Sequence, residues 1–283
     1  MQVISTGSRA LDALLLGGVR RGLLYCVFGA SGSGKTQLCM QLALNSARSS
    51  ERARVFIVDA KGDFRPERII DIYRATYMNY SERNGGSGYG KDINTIMSIM
   101  NRIYVQRAYH VDDILNSLCD VYGMHDRYDH GVSLLIVEDS PSLFRLEYGS
   151  RSAEGHFRLM RLMHDLALRA VLRNTAVIVT NGIVSAMGKH GDADTTTVPD
   201  SGFEEGMRME MGERQIMDRS VSMFAHFKVR LERQRSKKMK EKEGEEGMGR
   251  MYGSLFKATL LQPLLTRNNT ALFSIVERGI VDI

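Results

Sequence analysis

The chain has 283 residues, 43% of them hydrophobic and 25% charged. That balance excludes a disordered polymer, and the length suffices to bury a core without disulfides or structural metal. The net charge of +5 points weakly to a polyanionic partner. No apolar run reaches the roughly 18–20 residues of a membrane span. No basic stretch followed by an apolar block opens the chain, so no signal peptide is expected.

In chain order, Leu24–Gly29 reads as a strand and Lys35–Ala47 as a helix. Val55–Asp59 reads as a strand, and Pro66–Tyr77 as a helix with proline in its first turn. Ser81–Gly90 is loop chemistry. Arg102–Val105 predicts a short strand, Val111–Tyr122 a helix, and the apolar run Ser133–Glu138 a buried strand. His156–Leu172 predicts a helix and Thr175–Thr180 another buried strand. From Gly182 to Arg219 the periodicity stops. Val221–Arg230, Ser254–Leu261 and Ala271–Val276 then read as strands with no helices between them. The alternation predicts a parallel sheet with helices on both faces and an antiparallel C-terminal edge. Cys26, Cys39 and Cys119 are expected as small buried residues in a reducing compartment, and Met97, Met100, Met160 and Met163 as core filler. No histidine pair has ligand spacing with a third ligand, so no metal beyond a nucleotide's Mg²⁺ is expected.

Gly29-Ala30-Ser31-Gly32-Ser33-Gly34-Lys35-Thr36 is a complete Walker A motif. It lies after a buried strand and at the start of a helix, where backbone N–H groups and the helix dipole can hold phosphate. Lys35 reaches the terminal phosphates and the Thr36 hydroxyl holds Mg²⁺. A carboxylate for the metal is expected at the end of a later buried strand. Glu138 and Asp139 both follow Leu134-Leu-Ile-Val137, and the spacing leaves open which of them faces the metal.

Several strings together resemble one family: Ile4-Ser-Thr-Gly7 and Leu11-Asp12, Gln37-Leu-Cys after the P-loop, Phe64-Arg-Pro-Glu-Arg68, Leu143-Phe-Arg-Leu-Glu-Tyr148, Ala271-Leu-Phe-Ser-Ile275 and Gly279-Ile280. The resemblance is to the RecA-type recombinases, in their eukaryotic and archaeal strand-exchange branch with its paralogues, over roughly residues 1–280. It implies a RecA-like P-loop NTPase core over 1–283: a mostly parallel central sheet flanked by helices, with a long irregular loop at 183–219 and a charged insertion at 234–252. It implies ATP and Mg²⁺ as cofactors, with Gly29, Ala30, Ser31, Gly32, Ser33, Gly34, Lys35, Thr36 and Gln37 around the phosphates and Arg68 on the adenine. A guanidinium plane can stack on a base; the alternative for Arg68 is a surface ion pair with Glu67 or Asp71. Thr36, Glu138 and Asp139 are the metal candidates. The family's DNA loops map onto Gly149–Arg158 and Ile183–Arg219. The chain begins directly at the core, so it is expected to lack the small N-terminal DNA-binding domain of the recombinases.

Three departures qualify the resemblance. Where active members carry Asp-Thr-Glu-Gly, this chain reads Asp59-Ala60-Lys61-Gly62. Lys61 thus stands at the position of the glutamate that orients water, and a protonated lysine accepts no proton. Asp63, two residues away, is the candidate substitute. Where the family has Thr-Asn-Gln, this chain has Thr180-Asn181-Gly182. Glu138 stands where an aspartate is usual. Together these imply ATP binding with weak or absent hydrolysis, and no certain catalytic residue.

For DNA, Arg151 and Arg158 are candidates in the first loop. Lys237, Lys238 and Lys240 are candidates within Lys228–Lys242, which holds eight basic residues against two acids. The acids that follow from Glu241 to Glu246 make a solvated hairpin the equal alternative. The second loop is acidic on balance and suits phosphate poorly.

The reading is an ATP-binding recombinase paralogue of homologous recombination and double-strand break repair. It is expected to assist recombinase assembly on single-stranded DNA as part of a hetero-oligomer with other recombinase-family subunits, with no membrane partner. Localisation is nuclear if the source is eukaryotic and cytoplasmic otherwise. An active DNA-dependent strand-exchange ATPase and a nucleotide-independent interaction module are the alternatives.

Overall fold

The computed structural model describes residues 2–78, 89–127, 131–185, 213–215, 217–234, 254–263 and 269–283. Strands β1 (Val3–Ile4) and β2 (Val19–Arg20) pair antiparallel around helix α1 (Arg9–Leu14). Then follow β3 (Leu24–Phe28), α2 (Lys35–Ser49), β4 (Val55–Asp59) and α3 (Pro66–Tyr73), which continues as a π-helical turn over Arg74–Met78. Next come α4 (Tyr89–Met100), β5 (Ile103–Arg107), α5 (Val111–Arg127), β6 (Leu134–Glu138), α6 (Ser140–Tyr148), α7 (Ala153–Arg173) and β7 (Ala176–Asn181). The chain ends with β8 (Ile183–Ser185), β9 (Glu213–Gln215), α8 (Asp218–Ser222), β10 (Phe227–Arg233), β11 (Ser254–Gln262), β12 (Thr270–Val276) and β13 (Gly279–Val281).

Nine strands form one sheet in the order β13-β12-β11-β10-β3-β7-β6-β4-β5. From β10 to β5 all neighbours run parallel, while β10–β11, β11–β12 and β12–β13 are antiparallel. This is the expected α/β architecture with its antiparallel C-terminal edge. Every residue of β3, β4, β6 and β7 is buried, as strands covered on both faces must be. Alternate side chains serve two cores. Tyr25, Val27, Val55, Ile57, Ile136 and Ile178 pack under α2, α3 and α4. Cys26, Phe56, Val58, Leu135, Val137 and Val179 pack under α5, α6, α7 and α8.

The differences from expectation are local. Val221 and Ser222 belong to α8 rather than to the start of a strand, because Ser220 and Val221 are buried on the α7 side and Ser220 Oγ lies 2.7 Å from His156 Nδ1. The strand begins at Phe227. Helix α7 starts at Ala153 rather than His156, since Ser152 Oγ accepts from Gly155 N at 3.2 Å and caps it. Tyr89 and Gly90 lie in α4, not in the loop assigned to them. The stretch 183–219 is not irregular at its ends, where β8 and β9 pair antiparallel. Its residues 186–212 and 216, and 235–252 of the charged insertion, lie outside the described residues. Cys119 and Met97 are exposed, each on the solvent side of its amphipathic helix.

Candidate functional site

The site grows from the C-terminal ends of β3, β4, β6 and β7, where parallel strands hand over to loops and helix N-termini. Such a sheet end is the usual ligand crevice of open α/β folds. Residues 29–37 curl from β3 into α2. Gly34 is left-handed (φ 92°) at the N-cap of α2 and places no side chain on the first-turn N–H groups. A Cβ there would approach Ile275 Cδ1 to 2.8 Å, and one on Gly29 would collide with the Leu231 carbonyl and Ser33 Oγ. Gly32 (φ 76°) has open space around it and needs glycine for its backbone alone. The loop is therefore a bare-backbone cradle whose tightness comes from β10 and β12.

Lys35 folds back along this loop, donating from Nζ to the carbonyls of Gly29 (2.8 Å) and Ala30 (2.9 Å). Burial lowers its pKa, opposed by the nearby Asp139 charge. Thr36 Oγ1 donates to Glu138 Oε1. Glu138 is 1% exposed, and its second oxygen, Oε2, has no hydrogen-bond partner among the described residues. Burial raises its pKa to about 7, with the Thr36 hydrogen bond pulling the other way. An oxygen donor pair with one orphaned carboxylate oxygen suits a hard divalent cation, so Thr36 and Glu138 fit Mg²⁺. The two adjacent acids separate clearly. Asp139 is left-handed (φ 55°) at the N-cap of α6, accepts from Ser142 Oγ at 2.9 Å and also lines the cleft.

Across the cleft, Lys61 is ion-paired with Asp63. Their hydrogen bond raises the lysine pKa, ahead of the opposing effect of burial. Asp59, buried at the end of β4, accepts from the backbone N–H groups of Lys61, Gly62 and Phe64 at 3.2, 2.7 and 3.2 Å. Its role is to shape the turn that presents Lys61. Arg68 makes no ion pair with Glu67 or Asp71. It donates from Nε to Gln37 Oε1 (3.0 Å), from Nη2 to Val276 O (2.7 Å) and from Nη1 to Glu277 O (2.8 Å). It thereby ties α2 and α3 to the β12–β13 turn at the cleft wall.

The cleft measures about 710 Å3, within the ordinary range for a small-molecule site. Residues 31–37, Lys61, Asp63, Arg68, Glu138, Asp139 and Gly182 all line it. So do Arg65, Arg145, Arg233, Phe256 and Ile275, which sequence reasoning did not assign to the nucleotide. Phe256 and Ile275 come from strands more than two hundred residues beyond the P-loop; Phe256 carries no local signal, and Ile275 ends the family-like string Ala271–Ile275. Arg65 and Arg145 did have one: each lies inside a family-like string next to a strand end.

The DNA candidates are not gathered here. Arg151 is exposed in the turn between α6 and α7. Arg158 lies inside α7, not in a loop; it pairs with Glu154 at 3.0 Å and sits 5.3 Å over the Tyr148 ring. Lys237, Lys238 and Lys240 lie outside the described residues. No helix among the described residues is long and apolar enough to cross a membrane.

A family model described as Rad51 matches residues 1–201, from the first strand through the P-loop and β7. This is well over half of the 283 residues. The bare-backbone cradle, the Thr36–Glu138 pair and the parallel strands β3 to β7 all lie inside the matched stretch, and the chain belongs to the Rad51 family of RecA-like recombination and repair proteins.

Proposed function

We propose that the chain is a recombinase paralogue that binds ATP·Mg²⁺ in this cleft, turns it over weakly or not at all, and assists recombinase assembly on single-stranded DNA within a hetero-oligomer. The observation that carries the reading is the Lys61–Asp63 ion pair. It occupies the place where the family resemblance puts a water-orienting glutamate, and it engages Asp63, the candidate to replace it. A cation accepts no proton from water.

In this reading residues 29–36 wrap the phosphates with backbone N–H groups, and Lys35 leaves its loop carbonyls for phosphate oxygens. Thr36 and Glu138 would hold the metal, which when bound would neutralise phosphate charge. Lys61 adds positive charge that favours retention of an anionic ligand. Gly182, with no side chain, removes one route by which the cleft would signal to β8. Ligand that stays bound orders the cleft walls from β10 and β12, stabilising one assembled form by linkage. A nuclear location accords with this reading for a eukaryotic source.

The test is ATP binding and hydrolysis by the purified chain, with and without single-stranded DNA. Binding without appreciable turnover is expected, and Lys35→Ala should weaken binding at least ~10-fold. Lys61→Glu should raise the steady-state rate above that of the parent chain. Rapid DNA-stimulated turnover by the parent chain, abolished in Lys35→Ala, would overturn the reading in favour of an active ATPase.

A further inference from the structure

Resting on the reading that the cleft holds ATP·Mg²⁺, we propose that Arg145 and Arg233 make it selective for nucleoside triphosphates over diphosphates. They take the extra negative charge of the terminal phosphate. The two come from different walls, Arg145 from α6 and Arg233 from the end of β10, and both line the cleft.

The cleft crosses the end of the sheet. Gln37, Met40 and Arg68 line it on the α2–α3 side, while Ser142, Arg145 and Gly182 line it where β6 and β7 hand over to α6 and β8. The cradle of residues 29–36 lies between. A nucleotide with its base against Arg68 therefore runs its phosphates toward α6. Ser142 fixes that wall by donating to Asp139 Oδ1 at 2.9 Å, and Arg145 follows three residues later on the same face of α6. On the β10 wall, a Cβ on Gly29 would meet the Leu231 carbonyl at 2.2 Å, so the strand presses on the start of the cradle. Arg233 is two residues farther along β10 and on the same face as Leu231. Lys35 Nζ bonds the carbonyls of Gly29 and Ala30, so its tip lies at this same part of the loop.

Charge singles out these two arginines. Lys61 is paired with Asp63. Burial lowers the Lys35 pKa and the Asp139 charge opposes it, so those two offset each other. Glu138 stands with Thr36 at the metal position. Arg68 is anchored on carbonyls at the base end, and Arg65 stands beside it at the start of α3. Arg145 and Arg233 have no ion-pair partner among the described residues. Arg233 Nη2 donates to Ser254 Oγ at 2.8 Å, a neutral acceptor that orients the guanidinium without cancelling its charge. Segments 186–212 and 235–253 lie outside the described residues, and their charges have no part in this placement. A terminal phosphate offers oxygens that match the fork of a guanidinium, and a diphosphate leaves that position without an anion.

The test is equilibrium binding of ATP·Mg²⁺ and of ADP·Mg²⁺ to the parent chain and to Arg145→Gln/Arg233→Gln, with a melting curve for each. The parent chain should prefer ATP. The double variant should lose at least ~10-fold in ATP affinity and less than ~3-fold in ADP affinity. Equal losses for the two nucleotides, or no loss, would overturn the proposal. Both arginines are exposed, so salt screens their attraction. The parent chain therefore gives a second readout that needs no variant to fold: its preference for ATP should shrink as salt rises, and a preference independent of salt would overturn the proposal. A parent chain that binds both nucleotides equally overturns this inference and leaves the ATP reading standing, whereas one that binds neither overturns both.

Discussion

Glu138 shows how much one side chain decides. It is sealed at the end of β6 with one oxygen on Thr36 and the other unpaired, and burial lifts its pKa from the ordinary 4.5 to about 7. Between those values the folded chain binds more protons than the unfolded chain, so stability falls as pH rises across that window. Glu138→Gln keeps the shape and removes the charge. Without nucleotide it should melt above the parent chain at neutral to alkaline pH, by on the order of 2 kcal/mol, with the gap closing under acid conditions. It should bind ATP·Mg²⁺ at least ~10-fold more weakly. Thermal unfolding at both pH extremes, with and without ATP·Mg²⁺, checks both halves. At this scale the spacing of the Walker A motif makes Lys35 and Thr36 legible. The choice between Glu138 and Asp139 is not legible, because it depends on strand phase and on the left-handed turn at Asp139.

Among the elements, α7 is the longest described helix, and its entry sets the geometry of the turn carrying Arg151. Gly155 lies so close to Tyr148 that a Cβ would approach the tyrosine Cβ at 2.5 Å, so α6 and α7 meet tightly just after that turn. Ser152 begins α7 there with its side-chain cap. Ser152→Ala should destabilise by about 1 kcal/mol, a fall in Tm of about 2 °C for a chain of this size. A scanning melt is the measurement. The buried strands and long helices were legible because their periods run for several residues. Helices α1, α6 and α8, of 6, 9 and 5 residues, were not, since so few turns show no period. They form because Leu11, Phe144 and Val221 have a core to enter.

Over the whole molecule, the two ends of the chain are tied together. Asp282 accepts from Ser8 Oγ at 2.5 Å and from the N–H groups of Arg9 and Ala10 at 3.1 Å each. The hydrogen bond from Ser8 holds its pKa below the ordinary carboxylate value, ahead of a small opposing effect of burial. A depressed carboxylate contributes stability that is present above its unfolded pKa and is lost as pH falls through the folded one. Asp282→Asn should therefore lower Tm at neutral pH, and the difference should vanish in strong acid. A melting series from neutral to acid pH reads it directly. The sequence by itself determined the phosphate cradle, the buried parallel strands and the family, because each is written in spacings of a few residues. Only the tertiary structure decided that Lys61 engages Asp63, that Arg68 reaches the carbonyls of Val276 and Glu277, and that Ile275 closes over Gly34. Those partners meet through turn geometry, sheet order and crossover connections, and local periodicity carries no record of which strand lies beside which.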